Sequence, residues 1–302
     1  MNVRQPDGIT GLFETQRPRL VRLAYRMLGS LAEAEDVVQD AWLRWQDVDH
    51  AKVESAPAFL SRIVTRLCLD VMKSARVRRE SYVGSWLPEP VIEEDDGPDE
   101  DNLTLTLMLA LERLSPLERA AFLLHDVFGV ALDEVATTIE REPAAVRQLA
   151  TRARQHVQDA RPRYTVAQDE GNRIAEAFFT ASRSGDTDGL RALLAQNVVV
   201  RSDGGGKVHA FLNPIVGLSA VLRMYEGLTR KLGVRDGGFY KPVRIDGLPG
   251  YVSYERDNVF QTTAFEIEDG KIVTVYITRN PDKLRHVAKA FAITAPESQL
   301  RN

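Results

Sequence analysis

Apolar residues in the first part of the chain recur at helical spacing. Leu20, Leu23, Ala24, Met27 and Leu28 fall at i, i+3, i+4, i+7 and i+8, one face of an amphipathic helix. Gly29-Ser30 interrupts that pattern, with Ser30 placed to cap the next helix. There Ala34, Val37, Val38, Ala41, Trp42 and Trp45 form an apolar stripe, and Phe59, Leu60, Ile63, Val64, Leu67 and Val71 predict a third helix. Pro88, Pro90 and Pro98 deny a helix over 81–101. Helices resume near 102, and Ser115-Pro116-x-Glu118 is a helix start with proline at the first position. After about 164 the period changes. A helical stretch around Ala175, Phe178 and Phe179 leads to 190–194, and strand-like runs follow at 198–202, 208–212, 239–245, 251–254, 259–267 and 272–278. A helix over 218–231 interrupts them, and Glu268-Asp269-Gly270-Lys271 predicts a tight hairpin. The pattern predicts all-α domains followed by an α+β domain built on a curved antiparallel sheet. There is no internal repeat.

Charge changes this picture more than composition does. The chain of 302 residues has a formal net charge of −4, but the charge is segregated. Arg62, Arg66, Lys73, Arg76, Arg78 and Arg79 face a single acid, Asp70, within 61–79. Arg141, Arg147, Arg152, Arg154, Arg161 and Arg163 stand against Glu142 and Asp159 within 141–163. Between these patches, 89–101 holds Glu89, Glu93, Glu94, Asp95, Asp96, Asp99, Glu100 and Asp101 and no base, which predicts an extended acidic tether. Cys68 is the only cysteine, which excludes an internal disulfide and a cysteine-rich zinc site; between Leu67 and Leu69 it reads as core. No apolar run approaches the roughly 18–20 residues of a membrane span. The start of the chain lacks the apolar stretch of a signal peptide, so a cytoplasmic location is expected. No metal-ligand spacing and no nucleophile–base pair stands out, and no cofactor is expected.

The sharpest local motif is 129–157. Leu132, Val135, Ala136 and Ile139 mark a short helix, Glu140-Arg141-Glu142 a turn, and Pro143 the start of a second helix. In that helix Val146, Leu149, Ala150 and Ala153 face inward. Arg147, Thr151 and Arg154 face out, with Gln148 and Arg152 on the flanks. This is helix-turn-helix geometry, with the second helix suited to the major groove. Glu142 is a poor cap for it.

The run Ala34-Glu35-Asp36-Val37-Val38-Gln39-Asp40-Ala41-Trp42-Leu43-Arg44 resembles region 2.2 of extracytoplasmic-function sigma factors. Arg22-Leu23-Ala24-Tyr25-Arg26-Met27-Leu28-Gly29-Ser30 before it fits the same family. Ala58-Phe59-Leu60-Ser61-Arg62-Ile63-Val64-Thr65-Arg66 resembles the promoter-reading end of sigma-2. Leu114-Ser115-Pro116-Leu117-Glu118-Arg119 and the helix-turn-helix resemble sigma-4. The resemblance implies that Glu35, Asp36, Gln39 and Asp40 dock on the clamp helices of the RNA polymerase largest subunit. It implies that Arg62, Arg66, Lys73 and Arg76 handle the −10 element of promoter DNA. Arg147, Gln148, Thr151, Arg152 and Arg154 would then contact the −35 element.

Beyond the helix-turn-helix the chain resembles a SnoaL-like (nuclear-transport-factor-2-like) cone. Trp86-Leu87-Pro88-Glu89-Pro90, Asp203-Gly204-Gly205-Gly206-Lys207 and Asn280-Pro281-Asp282-Lys283-Leu284 resemble the sigma factors that carry such a domain, the SigJ-like group. In that group the extension modulates sigma activity within the same chain. Asp203 to Lys207 lacks phosphate-loop spacing and precedes no helix, so it reads as a glycine-rich hairpin that lets another backbone approach. It is expected to contact the linker or sigma-2, with Trp86 as an anchor; a surface turn without a partner stays the alternative. The domains expected are sigma-2 at 1–80, an acidic linker at 81–101, sigma-4 at 102–163, a regulatory domain at 164–290 and a tail at 291–302. Asp203, His209, Tyr225 and Tyr240 are candidates to line a cavity in the cone, whose small-molecule ligand is left open. Two other readings remain: a helix-turn-helix regulator with the cone as ligand sensor, and a cone-fold isomerase or cyclase.

Overall fold

The computed structural model describes residues 8–80, 82–93, 104–158, 166–234, 239–255, 257 and 259–291, with the backbone alone for 75–80. Its contacts divide into two units, one of 1–80 with 110–160 and one of 81–109 with 161–302.

The first unit is helical: α1 (Ile9–Leu28), α2 (Leu31–Gln46), α3 (Ala56–Glu80), the end of α4 (Leu105–Leu111), α5 (Pro116–Phe122), α6 (Leu132–Ile139) and α7 (Pro143–Val157). α1 buries the apolar face predicted for it and stops at Gly29, whose φ of 70° suits glycine. Ser30 Oγ accepts the Glu33 N–H at 3.2 Å and starts α2. Leu60, Val64, Leu67, Cys68 and Met72 of α3 are buried, and burial pushes the Cys68 thiol up, out of reach of ionisation at neutral pH. Ser115 and Glu118 form a reciprocal capping box at α5, which runs on through a π-helical turn at Leu123–Val127. Arg119 lies at the centre of the unit, 1% exposed. It donates to the carbonyls of Met27 at 2.7 Å and Leu111 at 2.8 Å and pairs with Glu112 at 2.8 Å, so one buried cation ties the end of α1 to α5. Burial pushes its guanidinium down to about 9.

The second unit is a seven-stranded sheet with helices. Its elements are β1 (Ile92–Glu93), α8 (Gln168–Ser184), α9 (Thr187–Leu193), β2 (Leu194–Asp203), β3 (Ile215–Val216), α10 (Leu218–Leu232), β4 (Tyr240–Ile245), β5 (Leu248–Tyr254), β6 (Phe260–Glu268), β7 (Lys271–Thr278) and α11 (Arg285–Ala290). The order is β1-β4-β5-β6-β7-β2-β3. β2 pairs with β7 in parallel, so the sheet is mixed and not antiparallel throughout. Asp269 and Gly270 supply the positive φ of the β6–β7 hairpin, as predicted.

β5 and β6 are buried on both faces, which period-2 alternation alone does not reveal. Tyr251, Phe265, Val275 and Ile277 meet Phe178 of α8 and Leu222 and Tyr225 of α10. On the other face Ile245, Leu248, Ala264 and Tyr276 meet Leu87 and Leu105, while Val252 and Phe260 meet Leu284 and Val287 of α11.

Two expectations are corrected here. The tether expected at 81–101 is, over 82–93, part of the sheet domain. Leu87, Pro88, Glu89 and Pro90 are buried, β1 pairs with β4, and Glu93 pairs with Arg244 at 3.2 Å. The physical reason is the second apolar face of the sheet, which the proline-rich segment covers; burying Leu87 alone contributes about 1.5–3 kcal/mol. Glu94, Asp95, Asp96, Asp99, Glu100 and Asp101 lie outside the described residues, as do Arg161, Arg163 and the tail after 291. The strand expected at 208–212 is irregular. The turn that closes on the Gly204 carbonyl, accepting from Lys207 N and Val208 N, diverts the chain away from the sheet.

Candidate functional site

α2 places Glu35, Asp36, Gln39 and Asp40 together on its exposed face, because Ala34, Val37, Val38, Ala41 and Trp45 take the opposite one. Leu43, 52% exposed, extends that face one turn further. An acidic strip with an apolar residue at its end suits a partner surface rich in arginine.

α7 exposes Arg147, Gln148, Thr151, Arg152 and Arg154, while Val146, Ala150, Ala153 and Val157 are buried. Glu140 takes the left-handed conformation at the turn, with φ 55°. Glu142 makes no side-chain cap. Not every arginine is idle. Arg154 Nε donates to Asp126 at 2.6 Å, and Arg152 stands 3.9 Å from Glu118.

α3 separates its predicted basic residues. Arg66 donates to the carbonyls of Thr138 at 3.1 Å and Thr137 at 3.3 Å and pairs with Glu140 at 3.0 Å, all in α6 or the turn after it. Lys73 pairs with Asp70 at 2.8 Å, and Arg62 is half-buried. The Arg76 side chain lies outside the described residues. Arg66 is thus committed to the helix-turn-helix in this conformation.

The second unit brings the three remaining motifs to one place. Asp203, the last residue of β2, is fully buried. Its carboxylate accepts from Leu87 N at 2.9 Å, Lys283 Nζ at 2.7 Å, Gly205 N at 3.0 Å and the Tyr82 hydroxyl. Lys283 also donates to the Leu87 carbonyl and lies 4.3 Å from the Trp86 ring centre and 4.8 Å from that of Tyr82. Asn280 Nδ2 donates to the Tyr82 oxygen at 2.9 Å. Lys207 pairs with Asp282, which also accepts from Arg285 at 2.6 Å; Lys207 foremost holds the Asp282 carboxyl below the usual carboxylate range. Pro88 is buried, and Pro281 accepts from Leu284 N as the chain turns into α11.

The glycines have separate reasons. A Cβ at Gly204 would fall 2.4 Å from the Val208 carbonyl oxygen, and one at Gly205 2.2 Å from Asn280 Nδ2. Gly206 has φ 71° beside Val83. Tyr82 was not anticipated. Burial first, then its bond to Asp203, pushes its phenol far up, so it stays a donor. An aromatic residue just ahead of Trp86 carried no spacing signal that would have found it. Equally unforeseen are His286 with the Pro90 carbonyl at 2.7 Å, and Asp246 with Val91 N at 3.2 Å.

Of the cavity candidates, His209 and Tyr225 line a cavity in this unit. Asp203 faces the linker, and Tyr240 packs at a tilt against Phe179 and Tyr251. Among the described residues no group of three or more His, Cys, Asp or Glu is placed to hold a metal ion, and no helix is long and apolar enough to cross a membrane.

Residues 12–78 match the family model for Sigma-70 region 2, and 104–157 that for Sigma-70, region 4. The chain is 36% identical over 288 residues to the ECF RNA polymerase sigma factor SigJ of Mycobacterium tuberculosis, covering 90% of this chain and 91% of the relative. It is 34% identical over 177 residues to SigG of that organism, an ECF RNA polymerase sigma factor, covering 49% and 47%. The crystal structure of the Mycobacterium tuberculosis extracytoplasmic function sigma factor SigJ superposes with a TM-score of 0.74 at 33% identity, covering 91% of this chain and 98% of that one.

Proposed function

The chain belongs to the ECF RNA polymerase sigma factors, and from that premise we propose that its C-terminal α+β domain restrains promoter initiation by holding the linker between the −10-reading and −35-reading helices. Glu35, Asp36, Gln39 and Asp40 bind the polymerase core. Arg62, Arg66, Lys73 and Arg76 act at the −10 element, and Arg147, Gln148, Thr151, Arg152 and Arg154 at the −35 element. The regulatory module is 164–290 together with 82–93.

The observation that carries this reading is the buried Asp203–Lys283 pair closed on both the N–H and the carbonyl of Leu87. A side chain gripping backbone reads position and not identity. With 82–93 built into the sheet domain and Leu105 N bonded to the Asp246 carbonyl at 2.9 Å, the chain joining α3 to α5 is fastened at both described ends. On a promoter that chain has to span the two elements, so fastening it limits initiation.

A reversible lock tests this. A Cβ at Gly206 lies 3.2 Å from Val83 Cβ, close to the roughly 3.5–4.5 Å that a disulfide needs. Cys68 is buried and will not compete. Val83→Cys/Gly206→Cys is expected to transcribe poorly with purified core polymerase when oxidised and to recover in reductant. Equal output in both states would sink the restraint.

A further inference from the structure

The C-terminal domain holds a partly open cavity of about 490 Å³ that neither promoter reading nor linker binding uses. That volume falls in the range of small-molecule sites, about 300–1,000 Å³. Phe211, Met224, Tyr225, Leu228, Tyr251 and Ile277 make its walls mainly apolar. Ser202, Gln261 and Thr263 also line it, all buried, with Gln261 Nε2 donating to Thr263 Oγ1 at 3.0 Å. Three formal charges in the wall are matched, Arg279 with Asp257 and Glu255, which accepts from Ser253 Oγ at 2.8 Å, with Arg183 at 3.6 Å; the fourth, Lys231 near the end of α10, is exposed. An apolar box whose buried polar groups are hydroxyls and an amide, and whose Arg279 and Glu255 are already paired, favours an uncharged ligand.

We propose that this cavity is a binding site for an uncharged, largely apolar small molecule carrying oxygen functions, and that its occupancy is transmitted to the linker. The transmission follows from residue alternation. Ser202 and Arg279 line the cavity, while their chain neighbours Asp203 and Asn280 hold Tyr82 and Leu87. The Asp203 carbonyl accepts from Arg279 N at 2.8 Å and from Asn280 N at 2.9 Å. The ends of β2 and β7 therefore move as one piece, and a molecule pressing on Ser202 or Arg279 displaces the groups that hold the linker. This second half rests on the linker reading above; the binding site does not.

Nile red, a neutral apolar dye with a carbonyl, is the probe, titrated into the full chain. Saturable binding at one site per chain is expected. Met224→Trp and Leu228→Trp fill the cavity and should each weaken binding at least tenfold, whereas Ser219→Trp, exposed on the same helix, should not. Circular dichroism and melting of each variant separate filling from misfolding. Absent saturation, equal binding by both filled variants when folded, or tighter binding of the anionic dye anilinonaphthalene sulfonate overturns the site. Hydrogen exchange at 82–93 with and without saturating Nile red tests transmission. Faster exchange supports it; unchanged exchange in a chain that binds the dye overturns transmission alone. A failed disulfide lock with intact dye binding overturns the linker reading and leaves the site.

Discussion

Asp203 satisfies a carboxylate with two backbone N–H groups, a phenol and an ammonium in a place without water-facing surface. Such a group is stable only while its partners stay. Asp203→Asn leaves Lys283 buried without its counter-charge and should destabilise the C-terminal unit by about 3–5 kcal/mol. Lys283→Met should cost less, because the N–H donors of Leu87 and Gly205 remain. The two together should cost less than the sum, and urea melts of the four proteins measure that coupling; additive effects would mean the pair is not a unit. The sequence placed Asp203, Lys283 and Trp86 in one regulatory set through motif resemblance. It could not show that Leu87 is held by its main chain, because a backbone N–H leaves no mark on composition. Tyr82 escaped for the related reason that a hydroxyl acting across 121 positions has no local periodicity.

At the scale of elements, the helices were the most legible part. Their burial follows directly from apolar spacing, and α1, α2, α6 and α7 were all placed from it. α2 gives the clearest test, since its acidic face makes no contribution to the core. Asp36→Arg/Asp40→Arg should leave the melting temperature within a few degrees and lower affinity for core polymerase at least tenfold, measured by competition against another sigma factor. Unchanged affinity would remove this face from the interface. The sheet was less legible. Five of its strands were found by their apolar runs, but 208–212 was misread as strand because Ala210 and Phe211 are apolar for another reason: they line the cavity. β1 was missed, being two residues long and paired only through tertiary contact with β4.

For the molecule as a whole, a balance of −4 disfavours nonspecific DNA binding by the unbound chain, and the ion pairs of the helical unit add a mechanism. Arg66 is spent on Glu140 and Arg154 on Asp126. Asp126→Asn/Glu140→Gln should therefore raise affinity for nonspecific duplex and steepen its salt dependence, by about 0.9 log units of affinity per log unit of salt for each phosphate contact regained. Anisotropy titrations over a range of salt measure the slope; an unaltered slope would mean that those arginines do not reach phosphate. Domain order was legible from the change in period near 164, but the true membership of 82–93 was not, because a proline-rich acidic run reads as solvent-exposed until the surface that covers it is known.

That membership has a bearing on ancestry. The sheet domain does not begin where the helix-turn-helix ends; part of it is encoded before α5, on the far side of an entire DNA-reading segment. A recombination joining 166–291 to the end of some other sigma factor would deliver a sheet whose Ile245, Leu248, Ala264 and Tyr276 have nothing to lie against. The two pieces of gene must travel together, so descent should preserve the Trp86–Pro90 segment wherever the C-terminal domain persists and let it drift once that domain is lost.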